Sequence, residues 1–176
     1  EGALTPSPSP RGRGEQGLPA GWKWVKLGDV VDLQSGHAFK KAEYSKTGIR
    51  LFQIANVSFD KTKWDEIEHL PQSYLKEYSD LALRAGDIVM ALNRPILDNK
   101  LKIAELRKED VPAILYQRVG RFIFQTEMQS RFFLYFMQSP VFLKWLLEEL
   151  QGVNIPFINK SKLLSFDLFP LPPPPE

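Results

Sequence analysis

Two groups of side chains in this sequence have the types and spacing to do chemistry. Asp98-Asn99-Lys100 has the D-x-K spacing with which metal-dependent nucleases hold a cation and a positive charge beside a phosphate. The second group is made of amides and guanidiniums: Gln34, Gln53, Asn56, Asn93, Arg94, Gln117, Arg118 and Arg121. An arginine can read guanine with two hydrogen bonds, and Asn or Gln can read adenine the same way. Lysines such as Lys40 and Lys41 suit phosphates, which fix position without carrying sequence. A D-x-K triplet arises readily by chance in a chain whose residues are 25% charged, so catalysis is not expected from it. A solvated polar rim is the competing account of the second group.

Other chemistries are missing. The 176 residues contain no cysteine, which removes disulfides, thiolate metal sites and cysteine nucleophiles. His37 and His69 are the two histidines, too few for a histidine-rich metal site. Asn93-Arg94-Pro95-Ile96 comes nearest to the Asn/Asp-Pro-Pro-aromatic loop of adenine methyltransferases, but lacks the second proline and the aromatic. There is no P-loop. Gly12, Gly14 and Gly17 spell G-x-G-x-x-G, but with no strand before them and no helix after them. No apolar run is long enough to span a membrane, and a cytoplasmic protein is the expectation.

Elements must position the polar groups. Val30 to Gln34, Ile49 to Val57, Ile88 to Leu92, Ala113 to Tyr116 and Val119 to Phe124 are β-branched and aromatic enough to be strands. Pro71 to Tyr78 reads as a short helix. Thr126 and Gln129 suggest a capping box opening a helix over Glu127 to Gln138. Ser139-Pro140 pairs an N-cap with a proline at the first helical position, opening Val141 to Leu150. Ser165 to Phe169 reads as a last short strand. Strands, then helices, then a returning strand imply an α+β domain with a mostly antiparallel twisted sheet and C-terminal packing helices. The aromatic residues Phe132, Phe133, Tyr135, Phe136, Phe142 and Trp145 recur at helical spacing and read as core packing. Residues 1–17, rich in Pro, Ser, Gly and Arg, are expected to be disordered. Residues 18–170 form the domain, and 171–176 a Pro-rich exit.

The net charge of +2 conceals a segregation. From Gln34 to Asn56, Lys40, Lys41, Lys46 and Arg50 face only Glu43. From Met90 to Thr126, seven cations, including Arg94, Lys100, Lys102, Arg118 and Arg121, outnumber four acids. Asp60 to Asp80 is acidic in compensation. A basic face suffices for counterion release from a duplex even when the total charge is small.

Several segments resemble the target recognition domain of the specificity subunit of type I restriction–modification enzymes. These are Leu18 to Asp29 followed by Ser35-Gly36, Gly48-Ile49-Arg50-Leu51-Phe52-Gln53-Ile54, Gly86-Asp87-Ile88-Val89-Met90, Gly152 to Ser161 with Leu163, and Phe169 to Pro173. The resemblance implies sequence-specific recognition of one half of a bipartite DNA site. It implies partner methyltransferase and restriction subunits, with S-adenosylmethionine, ATP and Mg used only by those partners. A spacer helix is expected after the prolines. The expected DNA face comprises Ser35, Gly36, His37, Lys40, Lys41, Arg50, Gln53, Asn93, Arg94, Lys100, Lys102, Gln117, Arg118 and Arg121, with no catalytic residue. The rival is a protein-interaction module that docks through its Pro-rich tail.

Overall fold

Strand β6 (Ile88–Ala91) organises the molecule, because all four of its side chains are buried. A strand sends alternate residues to opposite faces. Ile88 and Met90 join one apolar core, and Val89 and Ala91 join a second. The sheet containing β6 is therefore a middle layer with apolar packing on both sides.

The computed structural model describes residues 17–174. The stretch expected to be disordered lies, apart from Gly17, outside them, as do the last two residues. The middle sheet has the order β2-β11-β6-β9, from β2 (Val31–Ser35), β11 (Val119–Phe124), β6 and β9 (Ile103–Glu105), with every neighbouring pair antiparallel. The outer sheet has the order β4-β3-β10-β5, from β4 (Glu68–Leu70), β3 (Ile49–Phe52), β10 (Ala113–Leu115) and β5 (Ala82–Leu83). Only β3–β10 is parallel. Leu51, Phe52, Ile114 and Leu115 of the outer sheet meet Val89, Ala91, Ala104 and Val119 of the middle one.

Three helices cover the other side: α2 (Ser130–Met137), α3 (Pro140–Glu149) and α4 (Lys160–Leu164). Phe133, Phe142, Leu146 and Leu163 pack there on Leu33, Met90 and Phe122. Full burial of each such side chain stabilises the fold by about 1.5–3 kcal/mol. The remaining elements are the helical turn α1 (Tyr74–Glu77), the hairpin β7 (Ile96–Leu97) and β8 (Lys100–Leu101), and the pair β1 (Lys23–Val25) and β12 (Phe169–Leu171).

The α+β class, the antiparallel bias and the aromatic helices match the sequence reading, with two layers of sheet in place of one. Ser139 caps α3 as expected, accepting from Phe142 N at 3.4 Å with Pro140 at the first position. Other boundaries move. The strand expected over Ile49 to Val57 stops at Phe52, and Ile54–Asn56 is a 3-10 turn. Asn56 is buried there because its amide ties the turn together, accepting from Gln53 N and donating to the Lys63 and Glu66 carbonyls. Helix α2 begins at Ser130, so Thr126 does not cap it, and its hydroxyl is buried without a partner among the described residues. Asn159 instead opens α4, accepting from Lys162 N at 2.8 Å, and the last strand shifts to Phe169–Leu171.

Candidate nucleic-acid interface

One end of the sheet layers gathers most of the expected residues. The register of β2 and β11 sets Ser35 opposite Gly120, that of β6 and β11 sets Ala91 opposite Val119, and that of β3 and β10 sets Phe52 opposite Leu115. The C-terminal ends of β2, β3, β6 and β10 therefore meet at the β10–β11 turn. His37 bridges Tyr116, and Gln117 N donates to the His37 carbonyl at 3.1 Å. This approach requires glycine at position 36, since a Cβ there would collide with the Leu115 and Tyr116 carbonyl oxygens. Leu92 N donates to the Arg118 carbonyl at 2.8 Å, which fixes the Asn93–Arg94 loop against the same turn.

Asn93, Arg94, Lys102 and Arg118 line a single cleft with Ala55 and Ile155. Among the described residues no carboxylate lies within ion-pair distance of Arg94, Lys102 or Arg118. The Asn93 Oδ1 is buried with no hydrogen-bond partner among the described residues. Arg94 and Arg118 adopt left-handed backbone conformations, with φ of 45° and 66°. Such conformations are disfavoured for side chains with a Cβ and concentrate at functional sites.

A chain of phenols and amides supports the rim. Gln53 Nε2 donates to Tyr44 Oη at 3.3 Å, Gln117 Nε2 donates to Tyr116 Oη at 3.3 Å, and Tyr116 Oη donates to the Phe39 carbonyl at 3.4 Å. Burial, helped by a hydrogen bond with Tyr116, pushes the Tyr44 phenol up to about 12, so it remains neutral. Ser35, His37, Lys40 and Lys41 are exposed along the loop leaving β2. The His37 ring rests 4.7 Å from that of Phe39.

Three expected residues do not join this site. Arg121 is 9% exposed and lies between the sheets. Along β11, Val119, Arg121 and Ile123 share one face, which is the face turned to the outer sheet. Its guanidinium donates to Gln34, to the Asp80 and Ala82 carbonyls and to Asp87, with an ion-pair distance of 3.2 Å to the last. Neither Arg121 nor Gln34 is free to grip a duplex.

Arg50 lies over the Trp64 ring, 4.4 Å from its centroid, and donates to the Glu109 carbonyl. It belongs to a second, half-buried polar cluster around the buried Asp110. There Asp110 accepts from Arg107 N, Thr62 Oγ1 and Trp64 Nε1 at 2.7, 2.7 and 2.8 Å. Burial alone would raise the Asp110 pKa, but these donors and the Arg50 charge hold it below the usual carboxylate value.

Lys100 sits 5.9 Å above the Phe59 ring, outside the cleft. Asp98 and Asn99 have φ of 51° and 59°, the pattern of a type I′ turn closing the β7–β8 hairpin. The D-x-K spacing is thus a turn signature. Among the described residues no three acidic or histidine side chains are grouped to hold a metal ion, and no helix is long and apolar enough to cross a membrane. The sequence reading missed Tyr44, Tyr116, Ala55 and Ile155. Only the adjacency of Tyr116 to Gln117 hinted at the phenol support.

The family model described as "Type I restriction modification DNA specificity domain" matches residues 19–176. The chain is 46% identical over 156 residues to the type I restriction enzyme MjaVIII specificity subunit of Methanocaldococcus jannaschii, covering 88% of this chain and 36% of that protein. It is 33% identical over 160 residues to the EcoAI specificity subunit of Escherichia coli, covering 90% and 27%. The chain thus spans about a third of the length of these curated relatives. Among solved structures, the fold matches a chain from a study of assembly and conformational transition in the type I R-M system, with a TM-score of 0.61 and 22% identity over 89% of this chain and 35% of that one. It also matches the HsdS subunit of Thermoanaerobacter tengcongensis, with a TM-score of 0.58 and 23% identity over 89% and 34%.

Proposed function

The chain belongs to the type I restriction modification DNA specificity domain family, and from that membership we propose that it reads one half of a bipartite site in duplex DNA. It is a recognition module of that family rather than an enzyme. The reading rests most on one observation: Arg94, Lys102 and Arg118 converge with Asn93 on one cleft without a carboxylate partner among the described residues. Arginine forks suit guanine O6 and N7. The exposed Lys40 and Lys41 suit phosphates. In the assembled system, methyltransferase and restriction subunits carry the chemistry, with S-adenosylmethionine, ATP and Mg bound by them.

Titrating the chain with duplex DNA across a range of salt concentrations tests the proposal. Binding should weaken steeply with salt. Lys40→Ala should weaken binding to every sequence and flatten the salt slope by about one unit, whereas Arg94→Ala should cost about 1–3 kcal/mol and relax one base position. Absence of duplex binding even at low ionic strength would overturn the proposal in favour of a protein-docking module.

A further inference from the structure

Beside the basic cleft runs a segment whose apolar side chains face outward. Ile155 is 60% exposed and Phe157 is 48% exposed, while Ile158 is 2% exposed. The segment is laced to the end of β6. Arg94 N donates to the Pro156 carbonyl at 2.7 Å, Ile158 N donates to the Leu92 carbonyl at 3.0 Å, and Asn93 bridges Phe157. Ile155 and Phe157 flank Pro156 and are both exposed, while Ile158 anchors the segment in the helical core. Ile155 lines the same cleft as Arg94 and Arg118.

Two large apolar side chains exposed on a segment tethered to the end of β6 offer a contact surface. The cations alongside choose the partner, since a polyanion would be drawn over both. Among the groups on a base pair, the C5-methyl of thymine is the apolar one, and it lies in the major groove where arginine and amide readout occurs. We propose that Ile155 and Phe157 form an apolar reading edge that packs on thymine methyl groups next to the bases contacted by Arg94 and Arg118. The inference rests on the DNA-reading function proposed above and names residues that charge analysis would not select.

The test selects duplexes from a randomised pool on the full chain. The selected duplex is then remade with deoxyuridine replacing thymine at one position at a time. Wild type should lose about fourfold in affinity for each contacted methyl removed, the ratio that corresponds to about 0.8 kcal/mol for one buried carbon. A variant carrying Ile155→Ala and Phe157→Ala should bind the thymine and uracil duplexes alike, with its salt slope unchanged. The substitution in the DNA cannot perturb folding, and thermal melting of the variant confirms its fold independently. Equal wild-type affinity for thymine and uracil at every position overturns the inference while leaving the parent function intact. So does a rise in 2-aminopurine fluorescence on binding that Phe157→Ala abolishes, which would make these side chains wedges between base steps. Failure of wild type to bind any duplex removes both readings.

Discussion

Arg121 and Gln34 stand directly opposite each other on β11 and β2, and the arginine Nε donates to the Gln34 Oε1 at 3.0 Å. The same guanidinium reaches the Asp80 and Ala82 carbonyls and pairs with Asp87, so it fastens the middle sheet to the approach of the outer one. Arg121→Ala should lower stability by about 3–5 kcal/mol, because it strands polar partners in a nearly dry space. Arg121→Lys should recover little, since an ammonium cannot form the same fork. Urea unfolding measures both. An alanine variant within 1 kcal/mol of wild type would show that the contacts contribute little.

Arg118 separates stability from binding. Its φ of 66° suits glycine better than any residue with a Cβ. Arg118→Gly and Arg118→Ala both remove the side chain, but only glycine relieves the backbone. The glycine variant should be more stable than the alanine variant by about 1 kcal/mol, with equal losses of DNA affinity. Paired denaturation and binding curves decide it; equal stability would contradict a strained backbone.

Asp110 sets an acid limb for folding. Its pKa is lowered in the folded state, since donors from Arg107, Thr62 and Trp64 outweigh the opposing effect of burial. The associated stabilisation is therefore complete above the unfolded value, about 3.9, and is lost as pH falls through the lower folded value. Asp110→Asn should be less stable at pH 7 by about 1–3 kcal/mol, with a shallower loss on acidification. Thermal melts between pH 7 and pH 3, for both proteins, give the comparison. Parallel curves would remove the role of the carboxylate.

What the sequence disclosed follows from which forces are local. The cap at Ser139 and the helical spacing of Phe142, Trp145 and Leu146 depend on neighbours within a few residues, and both were legible. The strand containing Ile88 to Ala91 was legible as a short apolar run, although its two-sided burial came only with the second sheet. Arg121 misled because its partner lies 87 positions away, and cross-strand pairing is invisible to spacing. Strand parity alone could have warned of it, since Val119 and Arg121 must share a face. Arg50 misled in the same way, its partners being Trp64 and the Glu109 carbonyl. Arg94, Arg118, Asn93 and Lys102 were chosen for chemistry and were brought together by topology. Ile155 escaped notice because outward apolar residues look like core residues until a fold assigns them a side.

The clasp of β1 and β12 sets Lys23 across from Leu171. In such antiparallel pairing the two Cα atoms are only about 4.5–5.5 Å apart. Everything between them forms a closed loop hung from a narrow neck. A cassette with so narrow a neck can be exchanged for another while the flanking chain keeps its course.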